Sequence, residues 1–447
     1  MSVAIKPRER DAILSSLRAG VVPRIGLRHI QVGRRDEVAA VLNDLERVGQ
    51  GGASVRFIIG RYGAGKSFFL YLMRAEALER KFVVAQADIT LERRLHGSGG
   101  QGRALYAELM RNVAVRAKPD GGALASIVER WVSDVDHQVR QGGGADAHVA
   151  SAIHERLKGL QELVSSYDFS TVIQRYFEGF QKGNDTLQDH ALRWLRGEYT
   201  TRTEARQDLG VRTIIDDTNV YDYLKLFAAF VRLSGYAGLL VNVDEMGVLS
   251  HRLSHAQARM ANYEVLLSIV NDCLQGNVGG IGFLFGGTDA FLDDRRRGLA
   301  SYEALATRLA ANRFATEGLR DCSGPVLRLE TLRVEELHVL LQRIRSVFAG
   351  GDPAKHLVPD EALLAFLNHC QRTLGAEFFT TPRDAAKAFV GFLSVLEQNP
   401  GTPWQQVLTG TPLERSTEPD EQVPVEGDPD AGGAGDGSSD RLAAFRL

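Results

Sequence analysis

Eight consecutive residues have the types and the spacing of a loop that binds phosphate. In order they are Gly60, Arg61, Tyr62, Gly63, Ala64, Gly65, Lys66 and Ser67, which is the pattern GxxxxGK[ST]. The glycines let the backbone wrap so that its N–H groups point at phosphate oxygens. Lys66 supplies a positive charge for the β- and γ-phosphates, and Ser67 supplies a hydroxyl for Mg²⁺. The spacing therefore predicts a site for ATP and Mg²⁺, with Phe68 as the next residue to contact the nucleotide.

The sequence on either side of this loop supports the prediction. The apolar run Val55–Ile59 precedes the loop, and a helical pattern that begins at Phe68 follows it. A strand, loop and helix in this order separate a real phosphate site from a chance match to the pattern. The alternative is a glycine-rich surface turn without a ligand, and these flanks argue against it.

A second candidate feature is a pair of acids, Asp244 and Glu245, at the end of a later apolar run. A carboxylate at the end of a strand holds the hydration shell of Mg²⁺, which is the role we assign to Asp244. The next carboxylate, Glu245, is suited to polarise the water that attacks the γ-phosphate. The alternative is a plain acidic loop after a strand.

Polar residues also follow the fourth apolar run. Ligands of a parallel sheet bind at the carboxyl ends of its strands. Thr288 is therefore our first choice for a side chain that touches the γ-phosphate or the water, and Asp289 is the second. The alternative is an Asx-type turn that opens the next helix.

Three arginines are candidates for stabilising the charge of the phosphate in the transition state. Arg308 or Arg313 would reach the γ-phosphate of a neighbouring subunit, and Arg383 would reach it from a C-terminal helix. The alternative for Arg308 and Arg313 is a solvated basic helix face. A basic, glycine-rich segment at 93–103 is suited to contact with a phosphate backbone or a partner. The alternative is a flexible loop without a binding role.

These residues need a sheet to position them, and five apolar runs separated by helical patterns predict one. Runs that are continuous in apolar residues are typical of parallel strands buried on both faces. We therefore expect an α/β fold with the five-stranded parallel sheet of a P-loop NTPase. The predicted strands are 55–59, 82–87, 238–243, 281–285 and 326–329.

Helical patterns fill most of the remaining sequence. The stretch 104–235, between the second and third strands, is much longer than one crossover helix and predicts a large helical insertion. Its predicted helices are 105–115, 123–139, 149–165, 167–182, 190–197 and 220–233. A C-terminal three-helix lid is predicted from the helical patterns at 332–349, 359–374 and 381–397. Thr381 is expected to cap the last of these, because Pro382 follows it in the first turn.

Four predicted regions follow from these elements. They are an N-terminal helical segment at 1–50, a nucleotide-binding core at 51–330, the lid at 331–400 and an acidic tail at 401–447. Within the tail, residues 416–440 contain eight Asp and Glu and no Lys or Arg, which is typical of disorder. The net charge of the whole chain is −3, so the remainder is mildly basic, which permits contact with nucleic acid without demanding it.

Bulk composition narrows the class of protein. Hydrophobic residues make up 44% and charged residues 24% of the chain, as in soluble globular proteins. The longest apolar runs are too short to span a bilayer, and no signal sequence opens the chain. The three cysteines are far apart and have no metal-ligand spacing. We therefore expect a cytoplasmic protein with no membrane partner.

Together these motifs resemble those of AAA+ ATPases of the origin-recognition, helicase-loader-like branch. The resemblance makes 60–67 the Walker A motif and 239–245 the Walker B motif. It places 32–37 at the box that shapes the adenine pocket, which implies that Val32 and Gly33 contact the nucleotide. Thr288 falls at sensor 1, where Asn is more usual. Arg308 or Arg313 falls at the arginine finger, and the segment 381–384 resembles the start of sensor 2.

At closer range the chain is similar to the BREX-type ATP-binding proteins of bacterial phage-defence islands, the BrxD-like family. The similarity rests on 17–23, 60–67, 92–97 and 243–245, and it covers most of 10–400. It implies an Lhr-like superfamily 2 helicase as a partner. Origin-recognition relatives carry a winged-helix domain after the lid, and no such domain is expected after residue 397.

Three functions are compatible with these features. The first is an ATPase that works as a homo-oligomer with double-stranded DNA or the helicase in phage defence. The second is a nucleotide-gated switch or scaffold with little turnover, which the unusual sensor 1 favours. The third is a phosphotransferase for small molecules, which the Asp-Glu strand end and the helical lid disfavour.

Overall fold

The computed structural model describes residues 4–158, 160, 166–315, 321–374 and 381–410. Most of the end of the helix predicted at 149–165, and the acidic tail from residue 411 onward, lie outside the described residues. Among the described helices, none is long and apolar enough to cross a membrane.

A five-stranded sheet lies at the centre of the fold, which confirms the predicted α/β class. The strands are β1 Ala53–Ile59, β2 Val83–Asp88, β3 Leu239–Asp244, β4 Ile281–Gly287 and β5 Val326–Arg328. Their order across the sheet is β2-β3-β4-β1-β5, and every neighbouring pair is parallel. The loop that follows β1 therefore emerges inside the sheet, between the ends of β4 and β5, where a doubly wound fold binds its ligands.

The strands are largely apolar because both faces of the sheet are covered. Phe57 of β1 packs in one hydrophobic core, and its neighbour Ile58 packs in the other. All seven residues of β1 are buried. Alternating side chains of one strand point to opposite faces, so a strand between two helical layers is largely apolar, and the buried Arg56 of β1 donates to the Asp44 carboxylate. This is why the continuous runs predict the strands to within two residues at each end.

Helices cover the sheet, and seven of the described helices lie between β2 and β3. Outside that stretch, the helices up to β5 are α1 Pro7–Ala19, α2 Arg35–Gly49, α3 Lys66–Glu79, α11 Gly247–His251, α12 Ala256–Gln275, α13 Asp289–Asp293 and α14 Glu303–Arg308. Those between β2 and β3 are α4 Gln101–Arg111, α5 Leu124–Gln141, α6 Asp146–Lys158, α7 Ser166–Lys182, α8 Asp185–Leu195, α9 Arg202–Leu209 and α10 Val220–Leu233.

Three predictions for this helical stretch were wrong, and one of them is the helix predicted at 190–197, which begins five residues earlier, as α8. The helix predicted at 105–115 begins and ends four residues earlier, as α4, because Asp217 accepts hydrogen bonds from the N–H groups of Gly100 and Arg103 at its start. Ala114, expected to be helical, instead pairs with the free edge of β2 at Val84. Helix α9 was missed because only two of its side chains are buried, which leaves a weak apolar period.

A second group of helices follows β5 and has a core of its own. These helices are α15 Val334–Phe348, α16 Asp360–Leu374, α17 Pro382–Gln398 and α18 Trp404–Gly410. Their buried side chains, such as Phe366 and Phe389, pack together with Ile13 of α1, whereas α2 packs on the sheet. The first three helices match the three predicted C-terminal helices, while α18 was not predicted. Thr381 stands at the N-cap of α17 as predicted, but its hydroxyl donates to the Asp384 carboxylate at 2.5 Å instead of accepting from the backbone.

Candidate active site

The glycine-rich loop connects β1 to α3 and places a helix N-terminus at the middle of the sheet. Gly63 and Gly65 have φ values of 74° and 92°, which lie in the left-handed region where glycine costs least. Helix α3 begins at Lys66 directly after Gly65, and no side chain caps it. The uncapped N–H groups of its first turn and the helix dipole together favour an anion at this point. The loop thus has the backbone form that phosphate binding requires.

The side chain of Lys66 lies over the same loop. Its Nζ donates to the carbonyl oxygens of Gly60 and Arg61 at 2.9 Å and 3.0 Å. These contacts hold the ammonium group above the loop, close to the N-terminus of α3. The charge predicted for the β- and γ-phosphates is therefore located where the helix dipole also attracts them.

Ser67 and Asp244, predicted as the two Mg²⁺ ligands, lie in direct contact. The Ser67 hydroxyl donates to Asp244 Oδ2 at 2.7 Å, although the two residues are 177 positions apart in the chain. Asp244 is 6% exposed, and its other oxygen, Oδ1, accepts from the N–H of Glu245 at 2.9 Å. Gly286 of β4 packs against this carboxylate so closely that a Cβ there would collide with Oδ1. A hydroxyl beside a carboxylate fits Mg²⁺, which binds few protein oxygens and completes its shell with phosphates and water.

Glu245 has an unusual backbone conformation for a glutamate. Its φ is +58°, one of three positive values among the described residues other than glycine. Its side chain is exposed to solvent immediately after the buried Asp244. An L-residue in the left-handed region is strained, and such strain clusters at functional sites, where it aims a side chain. The positive φ and the exposure together mark Glu245 as a functional candidate at the strand end.

Asp88 is a neighbour of the site that the sequence interpretation did not include. It is the last residue of β2 and lies opposite Asp244 in the register of β2 and β3. Desolvation raises the pKa of Asp88 above its usual value, and the Asp244 carboxylate raises it further, while Arg93 and Arg24 oppose the shift. The signal was in the sequence, since β2 ends in an aspartate after an apolar run as β3 does.

The candidates after β4 have partners of their own. Thr288 caps α13, where its Oγ1 accepts from the N–H of Phe291 at 3.3 Å. The same oxygen lies 3.7 Å from the point where a Cβ would stand on Gly247, just beyond Glu245. Asp289 forms an ion pair with Arg328 of β5 at 3.0 Å. Of the two alternatives, Thr288 is therefore the one beside the acidic strand end.

Two of the candidate arginines lie on or after α14. The Nε of Arg308 donates to Asn271 Oδ1 at 2.5 Å, and its Nη1 donates to the carbonyl of Ala304 at 2.8 Å. The side chain is thus held against α12. Arg313 is exposed in the segment that follows. Within the described residues, neither arginine forms a hydrogen bond or ion pair with the glycine-rich loop of its own chain.

Arg383 and Thr381 bring the start of α17 to the glycine-rich loop. The Nη1 of Arg383 donates to the Tyr62 hydroxyl at 3.0 Å, and its guanidinium carbon lies 4.8 Å from the centre of the Tyr62 ring. A Cβ on Gly63 would lie only 2.8 Å from the methyl group of Thr381. The structure therefore brings Arg383 to the loop that holds Lys66.

The segment 32–34 contacts both the loop and the C-terminal helices. Val32 packs on the core of the C-terminal helices together with Phe68, and Gly33 lies against the Glu336 side chain. Arg34, which the sequence interpretation did not single out, has a φ of 59°, and its Nη2 donates to the carbonyl oxygens of Ala64, at 3.2 Å, and of Glu330. The sequence feature that could have identified Arg34 is its position directly after Gly33, inside the segment 32–37 that was predicted to shape the adenine pocket.

The basic segment 93–103 is anchored at both ends. The side chain of Asn262, which is fully buried in α12, accepts from the N–H of His96 at 2.9 Å and donates to its carbonyl at 3.2 Å. Asp217 binds the other end at Gly100 and Arg103. These contacts fix the backbone of the segment, and the bonds to Asn262 hold it against α12. The basic side chains of the segment therefore extend from a fixed backbone.

The geometry as a whole joins a phosphate loop, a hydroxyl–carboxylate pair and an outward glutamate. Among the described residues there is no group of three or more His, Cys, Asp or Glu that could hold a metal ion by itself. A metal at Ser67 and Asp244 would therefore need ligands from the nucleotide and water, as Mg²⁺ does.

Comparison with known proteins agrees with this reading of the site. The model of the family described as BREX system ATP-binding protein BrxC/D matches residues 5–412. The match spans the sheet, the glycine-rich loop, the strand ends and the C-terminal helices. A search of curated proteins found no match.

Proposed function

The chain belongs to the family of BREX system ATP-binding proteins BrxC/D, and we propose that it hydrolyses the ATP that it binds. The family gives nucleotide binding and a role in phage defence. The observation that carries the hydrolysis proposal is the contact of Ser67 with Asp244, followed at once by the outward Glu245. Hydrolysis needs this combination of a metal position and an adjacent base.

In the proposed reaction the N–H groups at the start of α3 and the Lys66 ammonium hold the β- and γ-phosphates. Ser67 and Asp244 would hold Mg²⁺, which neutralises phosphate charge when bound. Glu245 accepts a hydrogen bond from a water molecule and polarises it for attack on the γ-phosphorus. Thr288, next to the same strand end, is proposed as the second contact to that water.

The finer assignments from the resemblance to AAA+ proteins are also proposals. Helices α15 to α17 are proposed as a lid, because α17 touches the glycine-rich loop through Arg383 and Thr381. Val32 and Gly33 are proposed to line the adenine pocket. Arg308 or Arg313 is proposed to act on the nucleotide of a neighbouring copy in a homo-oligomer, since both lie on the chain's surface.

Two variants test the hydrolysis proposal on the purified protein. We expect Lys66→Ala to lose ATP binding, and Glu245→Gln to bind ATP with little turnover. The matched control is Glu155→Gln, which removes one exposed carboxylate on α6 and should hydrolyse ATP as the wild type does. Equal rates for Glu245→Gln and wild type would exclude Glu245 as the base.

The alternative function is a switch that binds ATP and turns it over little. ATP retained by the wild-type protein, with no phosphate released, would favour the switch over the ATPase. The proposed partners, double-stranded DNA and an Lhr-like helicase, are tested by adding each to the same assay. Stimulation by DNA would make the protein a DNA-responsive motor or loader.

A further inference from the structure

Arg259 is a buried arginine with an incomplete set of partners. It lies in the first turns of α12 and is 8% exposed. Its Nη1 donates to the carbonyl oxygens of Leu253 and Ser254 at 2.8 Å and 3.0 Å, just before the helix begins. Its buried Nε has no hydrogen-bond partner within the described part of the chain. A buried N–H group without a hydrogen-bond partner is costly unless another group compensates it.

The nearest charged groups add to this positive charge. Burial lowers the pKa of Arg259, and Arg297 and Arg296 lower it further. The Nη2 of Arg297 donates to the carbonyl of Leu253 at 3.4 Å, so it shares an acceptor residue with Arg259. Asp294 is the acid at this point, and its Oδ1 accepts from the N–H groups of Arg296 and Arg297.

The N-terminus of α12 lies at the same place. This helix has 20 residues, no acid in its first turn and no side-chain cap at His255. The N–H groups of the first turn have no partner inside the helix, and the helix dipole adds a partial positive charge there. The contacts of Arg259 with residues 253 and 254 place its guanidinium at this end of the helix.

We propose that the N-terminus of α12 and the arginine cluster Arg259, Arg296 and Arg297 form a second phosphate-binding site, separate from the nucleotide loop. Guanidinium groups and helix N-termini are the donors that proteins use for phosphate. The exposed position of Arg296 and the anchored basic segment at 93–103, which is also held on α12, suit a phosphate of a nucleic-acid backbone. A small free phosphate would use the same donors.

The test uses the full chain with Lys66→Ala, so that the glycine-rich loop does not report on phosphate, and it needs no ATP. The first arm compares the thermal unfolding midpoint in sodium phosphate and in sodium chloride of equal ionic strength. The second arm measures binding of a fluorescent 30-base-pair DNA by anisotropy at several salt concentrations. Arg259→Gln and Arg297→Gln are introduced singly and together, and Arg206→Gln on α9 removes one exposed arginine as the control.

When both arginines are replaced, we expect sodium phosphate to raise the unfolding midpoint no more than sodium chloride of equal ionic strength does. If the ligand is nucleic acid, DNA affinity falls about tenfold for each replaced arginine. The log–log salt slope becomes shallower by about 2 in the double variant. Loss of phosphate stabilisation with no DNA binding assigns the site to a free phosphate.

Replacement of the buried Arg259 could unfold the protein, whereas Arg297 is only partly buried. Arg297→Gln therefore tests the site in a variant that is expected to fold. The proposal is overturned if both variants match Arg206→Gln in phosphate stabilisation and in DNA affinity. Because the background lacks Lys66 and no ATP is present, failure here leaves the ATPase proposal standing, and failure of the ATPase proposal leaves this site untouched.

Discussion

Arg383 donates a hydrogen bond from Nη1 to the Tyr62 hydroxyl at 3.0 Å and lies over the ring of the same tyrosine. The two residues are 321 positions apart. One belongs to the first turn of α17 and the other to the glycine-rich loop. Together with the contact of Thr381 on Gly63, this pair fixes the position of α17 relative to the loop. Any movement of α17 that accompanies nucleotide binding must break or reshape this contact.

The Tyr62–Arg383 contact is expected to appear as a coupling free energy. In a double-mutant cycle of Tyr62→Ala and Arg383→Ala, the free energy of unfolding should show a coupling of about 0.5–1 kcal/mol, the usual size of an exposed cation–π pair. Tyr62→Phe should keep most of that coupling, since the ring remains. Urea unfolding of the four proteins measures it.

Arg372→Ala, on the exposed surface of α16, is the control for that cycle. Combined with Tyr62→Ala it should be additive to within about 0.5 kcal/mol. If Arg383 and Tyr62 were equally additive, the contact would contribute nothing to the position of α17.

Glu245 should show a conflict between stability and activity. Its φ of +58° is strained for any residue with a Cβ, so Glu245→Gly should be more stable than Glu245→Ala by about 1 kcal/mol. Both variants lack the carboxylate and should fail to hydrolyse ATP under the proposed mechanism. Chemical denaturation and phosphate release measure the two effects separately.

The control for Glu245 is a helical position, where glycine is expected to be less stable than alanine. At Glu264, an exposed position inside α12, the glycine variant should be less stable than the alanine variant by about 1 kcal/mol. A glycine variant at 245 that is also the less stable of its pair would contradict the strain argument.

Ser67→Ala should separate metal binding from nucleotide binding. The Ser67 hydroxyl is 2.7 Å from Asp244 and is proposed as a Mg²⁺ ligand, whereas the backbone N–H groups and Lys66 remain for the phosphates. ATP affinity in EDTA should be nearly unchanged, and the Mg²⁺ concentration for half-maximal binding should rise about tenfold or more. Titration calorimetry with and without Mg²⁺ measures both.

Ser268→Ala, an exposed serine on α12, is the matched control and should titrate as the wild type does. An equal loss of ATP affinity with and without Mg²⁺ in Ser67→Ala would show that the hydroxyl supports the loop and does not bind the metal.

The sequence was sufficient for the sheet because each strand is defined by local pattern. Runs such as Val55–Ile59 are apolar apart from Arg56 and are buried throughout, as in a strand covered on both faces. Spacing and strand ends also predicted Ser67 and Asp244 as partners at one metal site, and the structure brings the two side chains into contact. The strand order was not predicted, because parallel pairing joins segments that are distant in the chain.

Contacts between residues that are distant in the chain could not be predicted from the sequence pattern. The hydrogen bond from Arg34 to the Ala64 carbonyl depends on a left-handed backbone at Arg34, and nothing in the residue type requires it. The start of α4 likewise depends on Asp217, which lies 117 residues from Gly100. Asp88 was visible as a strand-end acid, and its significance came only from the register with Asp244.

Asp88 should make the stability of the protein depend on pH. Its pKa in the folded protein is raised by desolvation and by Asp244, so the folded state binds its proton more tightly than the unfolded state does. Below the usual aspartate pKa of about 3.8 the carboxyl is neutral in both states and costs nothing. As pH rises through the raised pKa, the charge on Asp88 beside Asp244 destabilises the folded state. Asp88→Asn should therefore be more stable than the wild type at pH 7 without Mg²⁺, with the difference shrinking toward pH 4.

Urea unfolding at pH 7 and pH 4 measures this difference in stability, with Asp134→Asn on the exposed side of α5 as the control for lost negative charge. A pH-independent difference would show that Asp244 and desolvation do not act on Asp88.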